Sequence, residues 1–205
     1  MVIRKVNPYR NDLSRVIIYF EDKSYVTVSA ERARALDLKP GDVVDETLIK
    51  ELSDEARGSA ARATAARIVG RHAMSCATLL KKLKEKGIDD ESANAALSWL
   101  VDIGIMDDAA YAKNLLSHYR ARGFGNRRIR EEMRVRGISR EIIEEIIDER
   151  DMSDEILEYI EKKTRGVELD DKLRAKITNA LVRRGHSYED IKSAFNNLKD
   201  GGNGF

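Results

Sequence analysis

The sequence predicts a mainly α-helical fold: three tandem three-helix repeats with helix-turn-helix character, led by a small N-terminal α/β module that contains a β-hairpin. Three observations carry this. Glycines recur at 87, 137 and 185 with the same apolar pattern around each. After Pro40 the chain has no further proline, which favours uninterrupted helices. Before residue 52 the pattern is instead β-branched and aromatic.

Residues 1–52 form the first expected module. "RVIIYFEDKSYVTVS" places two β-branched and aromatic runs around a polar "EDKS" turn, a hairpin signal. "SAERARALDL" follows as a short helix with Ser29 as its N-cap. "KPGDVVD" reads as a turn entering an extended piece, and "ETLIKEL" as helical. Residues 1–55 hold 9 basic and 11 acidic groups, so this is no basic arm. The period turns helical near Ala56, so the module is expected to end there and to be dispensable for the folding of the rest.

The repeat then governs the chain. "LLKKLKEKGIDDESANAAL", "IREEMRVRGISREIIEEII" and "ITNALVRRGHSYEDIKSAF" begin at Leu79, Ile129 and Ile177. Each opens with an apolar pair at i, i+4, a single helix stripe, and reaches its glycine four residues later. The glycine supplies the left-handed residue that ends the helix. Asp89 or Asp90, Ser139 and Ser187 are then placed to cap the next one. One more helix lies upstream in each repeat: "ARATAARIV", a segment following Asp107 and Asp108, and a segment from Ser153. The expected limits are 56–105, 106–150 and 151–199, with a disordered tail over 200–205.

Catalysis finds no support in this pattern. His72, His118, His186 and the lone Cys76 have no metal-ligand spacing, and no phosphate-binding glycine loop occurs. No cofactor, metal or catalytic residue is expected. A single cysteine precludes an intrachain disulfide, and no leader or membrane-length apolar run occurs, so a cytoplasmic protein is expected. Repeats that bury their apolar faces on one another also suit a monomer.

The charge is unevenly placed. "RARGFGNRRIREEMRVRG", residues 120–137, carries seven arginines, no lysine and two glutamates in a chain of net charge +1. Ile129 and Met133 should face the core, which leaves Arg127, Arg130 and Arg134 on one outer stripe suited to phosphate or carboxylate. The competing reading pairs Arg127 with Glu131 and Arg128 with Glu132 at i, i+4. Arg136, like Lys86 and Arg184, precedes a repeat glycine and is read as offsetting a helix C-terminus. Residues 56–105 hold 8 basic and 5 acidic groups, with Lys81, Lys82 and Lys84 pointing away from Leu79 and Leu83. The candidate binding residues are therefore Arg120, Arg122, Arg127, Arg128, Arg130, Arg134, Lys81, Lys82 and Lys84. Phe124 is read as a packing residue and Asp107 and Asp108 as helix caps.

The middle repeat resembles the RecX family of bacterial recombination regulators. The residues that carry the resemblance are Asp107, Asp108, Tyr111, Ala112, Gly125, Ile129, Met133, Gly137 and Ile138, and it extends more loosely over about 56–198. Asn126 stands where the family glycine is commonly followed by proline. The β-containing segment belongs only to longer members. The resemblance implies a non-enzymatic modulator that lies in the groove of the RecA filament on DNA and restrains its ATP hydrolysis and strand exchange, in DNA repair and the SOS response. Its partners would be the recombinase and, weakly and without sequence preference, the DNA backbone, with no membrane. The rival is a helix-turn-helix transcription regulator that binds duplex DNA by itself. A near-neutral chain weighs against that rival.

Overall fold

The structure, a computed structural model, describes residues 1–10, 12–147 and 152–201. Among them lie three strands and ten helices. The chain divides into two compact units: Met1–His72 with Leu79–Ile105, and Ala73–Thr78 with Met106–Phe205.

The first unit opens with β1 (Ile3–Tyr9), β2 (Asp12–Phe20) and β3 (Tyr25–Ser29), an antiparallel sheet in the order β1-β2-β3. The expected hairpin is β2–β3. At its turn the Asp22 carboxylate accepts from the Ser24 amide and hydroxyl, and Lys23 takes a positive φ. β1 was not legible as a strand. Its buried pattern is carried by Ile3, followed mostly by exposed residues, so no alternation announces it. Cross-strand pairs Ile3–Phe20, Ile18–Val26 and Val16–Val28 line the inner face. Helix α1 (Ala30–Ala35) starts where Ser29 accepts from the Arg32 amide, as its sequence predicts.

Helix α2 (Glu46–Val69) is capped by Asp45, which accepts from the Leu48 amide. It runs unbroken for 24 residues, so the division expected between residues 52 and 56 falls inside one helix. Leu52 is buried in the core of the sheet, with Leu48 and Ile49 packed against it. Further along, Ala61 and Ala65 are fully buried, and the helix packs on α4 (Asp90–Asp102). The change of pattern near Ala56 therefore marks a change in what the helix covers. Leucine and isoleucine meet the sheet; alanine allows close approach to Ala93 and Ala96, which are themselves buried.

Helix α3 (Cys76–Glu85) buries Leu79 and Leu83. The second unit continues with α5 (Asp108–Ala121), α6 (Asn126–Val135), α7 (Arg140–Ile146), α8 (Ser153–Thr164), α9 (Asp171–Arg183) and α10 (Tyr188–Gly201). The predicted three-helix rhythm is thus present. The repeat glycines take φ of +77°, +74° and +90° at 87, 137 and 185. Asp89, Ser139 and Ser187 accept from the amides of Ser92, Ile142 and Asp190. Ala112, Leu116, Tyr119, Ile129, Met133 and Ile143 form one core; Ile156, Ile160, Ile177, Leu181, Ala194 and Phe195 form another. Of the expected tail, α10 reaches Gly201, and residues 202–205 lie outside the described residues.

Leu52→Ala should destabilise the protein by about 2–5 kcal/mol, because it empties a fully buried leucine site. Chemical denaturation measures this. A loss below about 1 kcal/mol, within the range of surface substitutions, would show that the sheet and α2 do not share a core.

Candidate interaction surface on the arginine-rich helix

Helix α6 carries most of the arginines of residues 120–137, and its position is set by two joints of the same design. At each, the carbonyl-bearing end of one helix meets the amide-bearing start of another. Opposite ends of two helix dipoles are brought together, and groups that a lone helix leaves unbonded find partners.

The first joint is at the end of α6. The Ser75 hydroxyl lies against the Arg136 carbonyl, and Thr78 Oγ1 donates to the same oxygen at 3.3 Å. Ser75 also caps α3 by accepting from the Thr78 amide, and Asp108 accepts from the Cys76 amide at 2.8 Å. A Cβ on Gly137 would fall 2.6 Å from that of Ala77, closer than packed carbons allow.

The second joint is at the start of α6. Gly125, its N-cap, has no capping side chain. Its amide donates to the Arg184 carbonyl at 3.0 Å, and the Arg127 amide to the Gly185 carbonyl at 3.2 Å. A Cβ on Gly125 would come within 2.4 Å of the Gly185 oxygen, and one on Gly185 within 2.4 Å of the Arg128 nitrogen. Asn126 follows Gly125 as the first helical residue, a position where proline and non-proline residues are both accommodated. His186 Nε2 sits 3.1 Å from the Gly123 carbonyl. That partner requires the proton on Nε2. Nδ1 is buried with no partner among the described residues.

The arginines divide on this frame. Arg127, expected on the free stripe, donates instead to the Val182 carbonyl at 3.1 Å and so ties α6 to α9. Arg130 lies 3.4 Å from Glu144 with its side chain only 19% exposed. Arg120 is half-buried and lines a small cavity with Glu155, Tyr159, Arg184 and His186. Arg122, Arg128 and Arg134 point outward. Arg122 stacks over Phe124, with its guanidinium 5.5 Å from the ring centre. Arg128 pairs with Glu132, as the i, i+4 spacing predicts. The pairing expected between Arg127 and Glu131 is replaced by one between Arg134 and Glu131 at 3.5 Å. The Arg134–Glu131 pair, exposed on both sides, contributes at most about 1 kcal/mol.

Arg136 has a structural role, though a fuller one than offsetting a dipole. It donates to Glu132 at 2.6 Å and to the Tyr119 hydroxyl at 2.8 Å. Glu132 is held below the usual carboxylate range, chiefly by the hydrogen bond from Arg136, with Tyr119 adding to it. Tyr119 packs edge-on against Phe124, so Phe124 is a packing residue. In the first unit, Lys81 and Lys82 are exposed, and Lys84 pairs with Asp90 at 2.9 Å.

Chemistry at other polar groups is unpromising. Burial, then the Asp108 carboxylate, pushes the Cys76 thiol up to about 11, far from a reactive thiolate. Asp107 accepts from the Ala109 and Ala110 amides and is a cap, as is Asp108 toward Cys76. No metal-holding cluster occurs among the described residues, and no helix there is long and apolar enough to cross a membrane.

The fold and this surface define a class: a tandem helical array that presents basic side chains from a fixed frame. The chain is similar to proteins of one family. The pattern of the second three-helix domain of RecX matches residues 107–147. The regulatory protein RecX of Clostridium tetani is 27% identical over 203 residues, covering 96% of this chain and 94% of that one. That of Vibrio campbellii is 29% identical over 119 residues, 57% of this chain and 77% of the relative. Among solved structures, a regulatory protein RecX superposes with a TM-score of 0.71 over 95% of this chain and 98% of its own, at 19% identity, a likeness of fold. RecX from Lactobacillus salivarius superposes with a TM-score of 0.64 over 70% and 97%. The chain is thus similar to RecX regulatory proteins, over nearly its whole length to the Clostridium tetani relative and in its middle repeat to the pattern of the second RecX domain.

Two outcomes follow from the joints. Gly185→Ala should destabilise the protein much more than Gly87→Ala, because a Cβ at 185 meets backbone while one at 87 meets nothing within 4 Å. Both pay the left-handed cost of about 1 kcal/mol, so equal losses in denaturation would contradict the second joint. The second outcome concerns pH. Burial, the largest cause, lowers the His186 pKa, and Arg184 lowers it further against the Gly123 carbonyl, Asp190 and Glu155. The folded state therefore binds fewer protons than the unfolded state once pH falls to about 6.5 and below. Stability should drop as pH falls through that range, and His186→Ile, the residue of the other two repeats at 88 and 138, should flatten the slope. An unchanged slope in the variant would exclude His186 as its source.

Proposed function

We propose that this protein regulates the RecA recombinase filament, chiefly by inhibition of its ATP hydrolysis and strand exchange, with the basic surface of α6 as a principal contact. The observation that carries this reading is the division of the arginines. Arg127 and Arg130 hold the frame. Arg122, Arg128 and Arg134 stand outward from it, with Arg128 and Arg134 tied only to neighbouring exposed or part-exposed acids of the same helix. Similarity along nearly the whole chain to a regulatory protein RecX supports the reading. Lys81 and Lys82 offer a second basic face in the first unit, and Arg120 reaches the partner only through its support of the frame. In this reading the protein occupies the filament groove as a monomer and needs no cofactor.

The reading as a duplex-binding transcription regulator has less behind it. A recognition helix presents several unpaired side chains to base edges. Here two of the four arginines of α6, Arg127 and Arg130, are taken up by Val182 and Glu144, and the chain carries a net charge of only +1.

Arg122→Ala, Arg128→Ala and Arg134→Ala combined should leave stability changed by no more than about 0.5 kcal/mol per site. Inhibition of recombinase ATPase on single-stranded DNA should weaken about tenfold or more. Loss of bare-DNA affinity with a reduced salt slope would identify phosphates as the target, and unchanged DNA affinity would identify recombinase carboxylates. A folded, fully inhibitory triple variant would remove this surface from the mechanism.

A further inference from the structure

The two joints use one turn, which ends a helix at each of the three repeat glycines and also at Gly104 and Gly123. At Gly137 and Gly185 the glycine amide bonds three residues back, to the carbonyls of Arg134 and Val182. The next amide bonds five back, to Met133 and Leu181. The turn at Gly87 repeats this in full, with Gly87 bonding Lys84 and Ile88 bonding Leu83. At 137 and 185 the turn holds the start of a helix. The residue seated against its last carbonyl is Ser75 in one case and Gly125 in the other, each twelve positions before its own repeat glycine. At Gly87 the place of a Cβ is open, with nothing within 4 Å. Lys84, Glu85, Lys86 and Gly87 are all exposed. No hydrogen bond to the Lys86 or Gly87 carbonyl appears among the described residues.

We propose that the Lys86–Gly87 turn is a docking site for the N-terminal end of an α-helix of a partner protein, one whose N-cap is glycine or serine. The occupant follows from the two filled copies. Each takes a helix start with a small residue at the cap, because the turn presents carbonyl oxygens with almost no clearance. A phosphate is a poor occupant, since the carbonyl end of a helix repels an anion. A second copy of this chain is poor too. Ser75 and Gly125 are already seated, and the corresponding position of the third repeat is Leu173, inside α9 beyond its Asp170 cap. The site therefore suits a different protein. Taking that protein to be the filament's recombinase subunit rests on the regulatory reading above.

Gly87→Asn tests this. Asparagine tolerates the left-handed turn, so the variant should melt with the wild type while its side chain enters the docking space. Its half-maximal inhibitory concentration in the recombinase ATPase assay should rise about tenfold. Affinity for bare DNA should stay as it was. Hydrogen exchange on the wild-type chain gives a check that no variant can spoil: amides 84–90 should exchange more slowly when filament is present. Wild-type inhibition by Gly87→Asn, or no slowing over 84–90 while the wild type is bound, overturns the proposal. So does a parallel loss of DNA affinity, or self-association of the wild type that Gly87→Asn abolishes. A wild type that neither binds nor inhibits the filament sinks the regulatory reading itself, and is distinguished from these by the unmodified protein alone.

Discussion

The second unit depends on one constraint: a helix end must have its carbonyls bonded, and the start of another helix does the bonding. Arg184 and Gly185 supply oxygens to the amides of Gly125 and Arg127, and Arg136 supplies one to Ser75 and Thr78. Such contacts require the two helix ends to approach to hydrogen-bond distance. Glycine at 125, 137 and 185 is the condition for that approach, because every Cβ there would overlap a neighbour. The arginine surface inherits its geometry from these joints.

This constraint explains why arginines so close in sequence differ in role. Arg127 lies beside the second joint and closes on Val182; Arg136 ends the helix at the first and gathers Glu132 and Tyr119. Arg122, Arg128 and Arg134 keep their side chains at the surface, although the Arg128 backbone lies against Gly185. The lone buried histidine fits the same logic. At the position after the glycine, Ile88 and Ile138 need only bury a side chain, whereas His186 also bonds the Gly123 carbonyl next to the joint. The polar contact adds definition to the second joint and makes it sensitive to protonation.

Much of the fold was legible because it is local. Apolar pairs at i, i+4, a glycine in the left-handed region and a serine or aspartate two residues beyond it are short-range devices, and each appears where its spacing places it. β1 was illegible because Ile3 alone carries its burial, and a strand with one anchored residue has no period to detect. The length of α2 was illegible for a different reason. Its apolar surface changes from leucine to alanine near Ala56, and a change of partner looks like a change of element when only the pattern is read.

By itself the sequence determined the hairpin, the repeat, the concentration of arginines in residues 120–137 and the helix stops and caps around the repeat glycines, since these turns are settled by residues within a few positions of one another. Which arginines face outward was a tertiary decision. Helical spacing places Arg127, Arg130 and Arg134 on one stripe, and it cannot show that Val182, 55 residues away, stands at one end of that stripe. The joints were half-visible: Ser75 and Gly125 share an offset from their glycines, a signal of small residues at equivalent places. Their meaning required the fold, because a carbonyl and the amide it bonds are brought together only when distant helices pack.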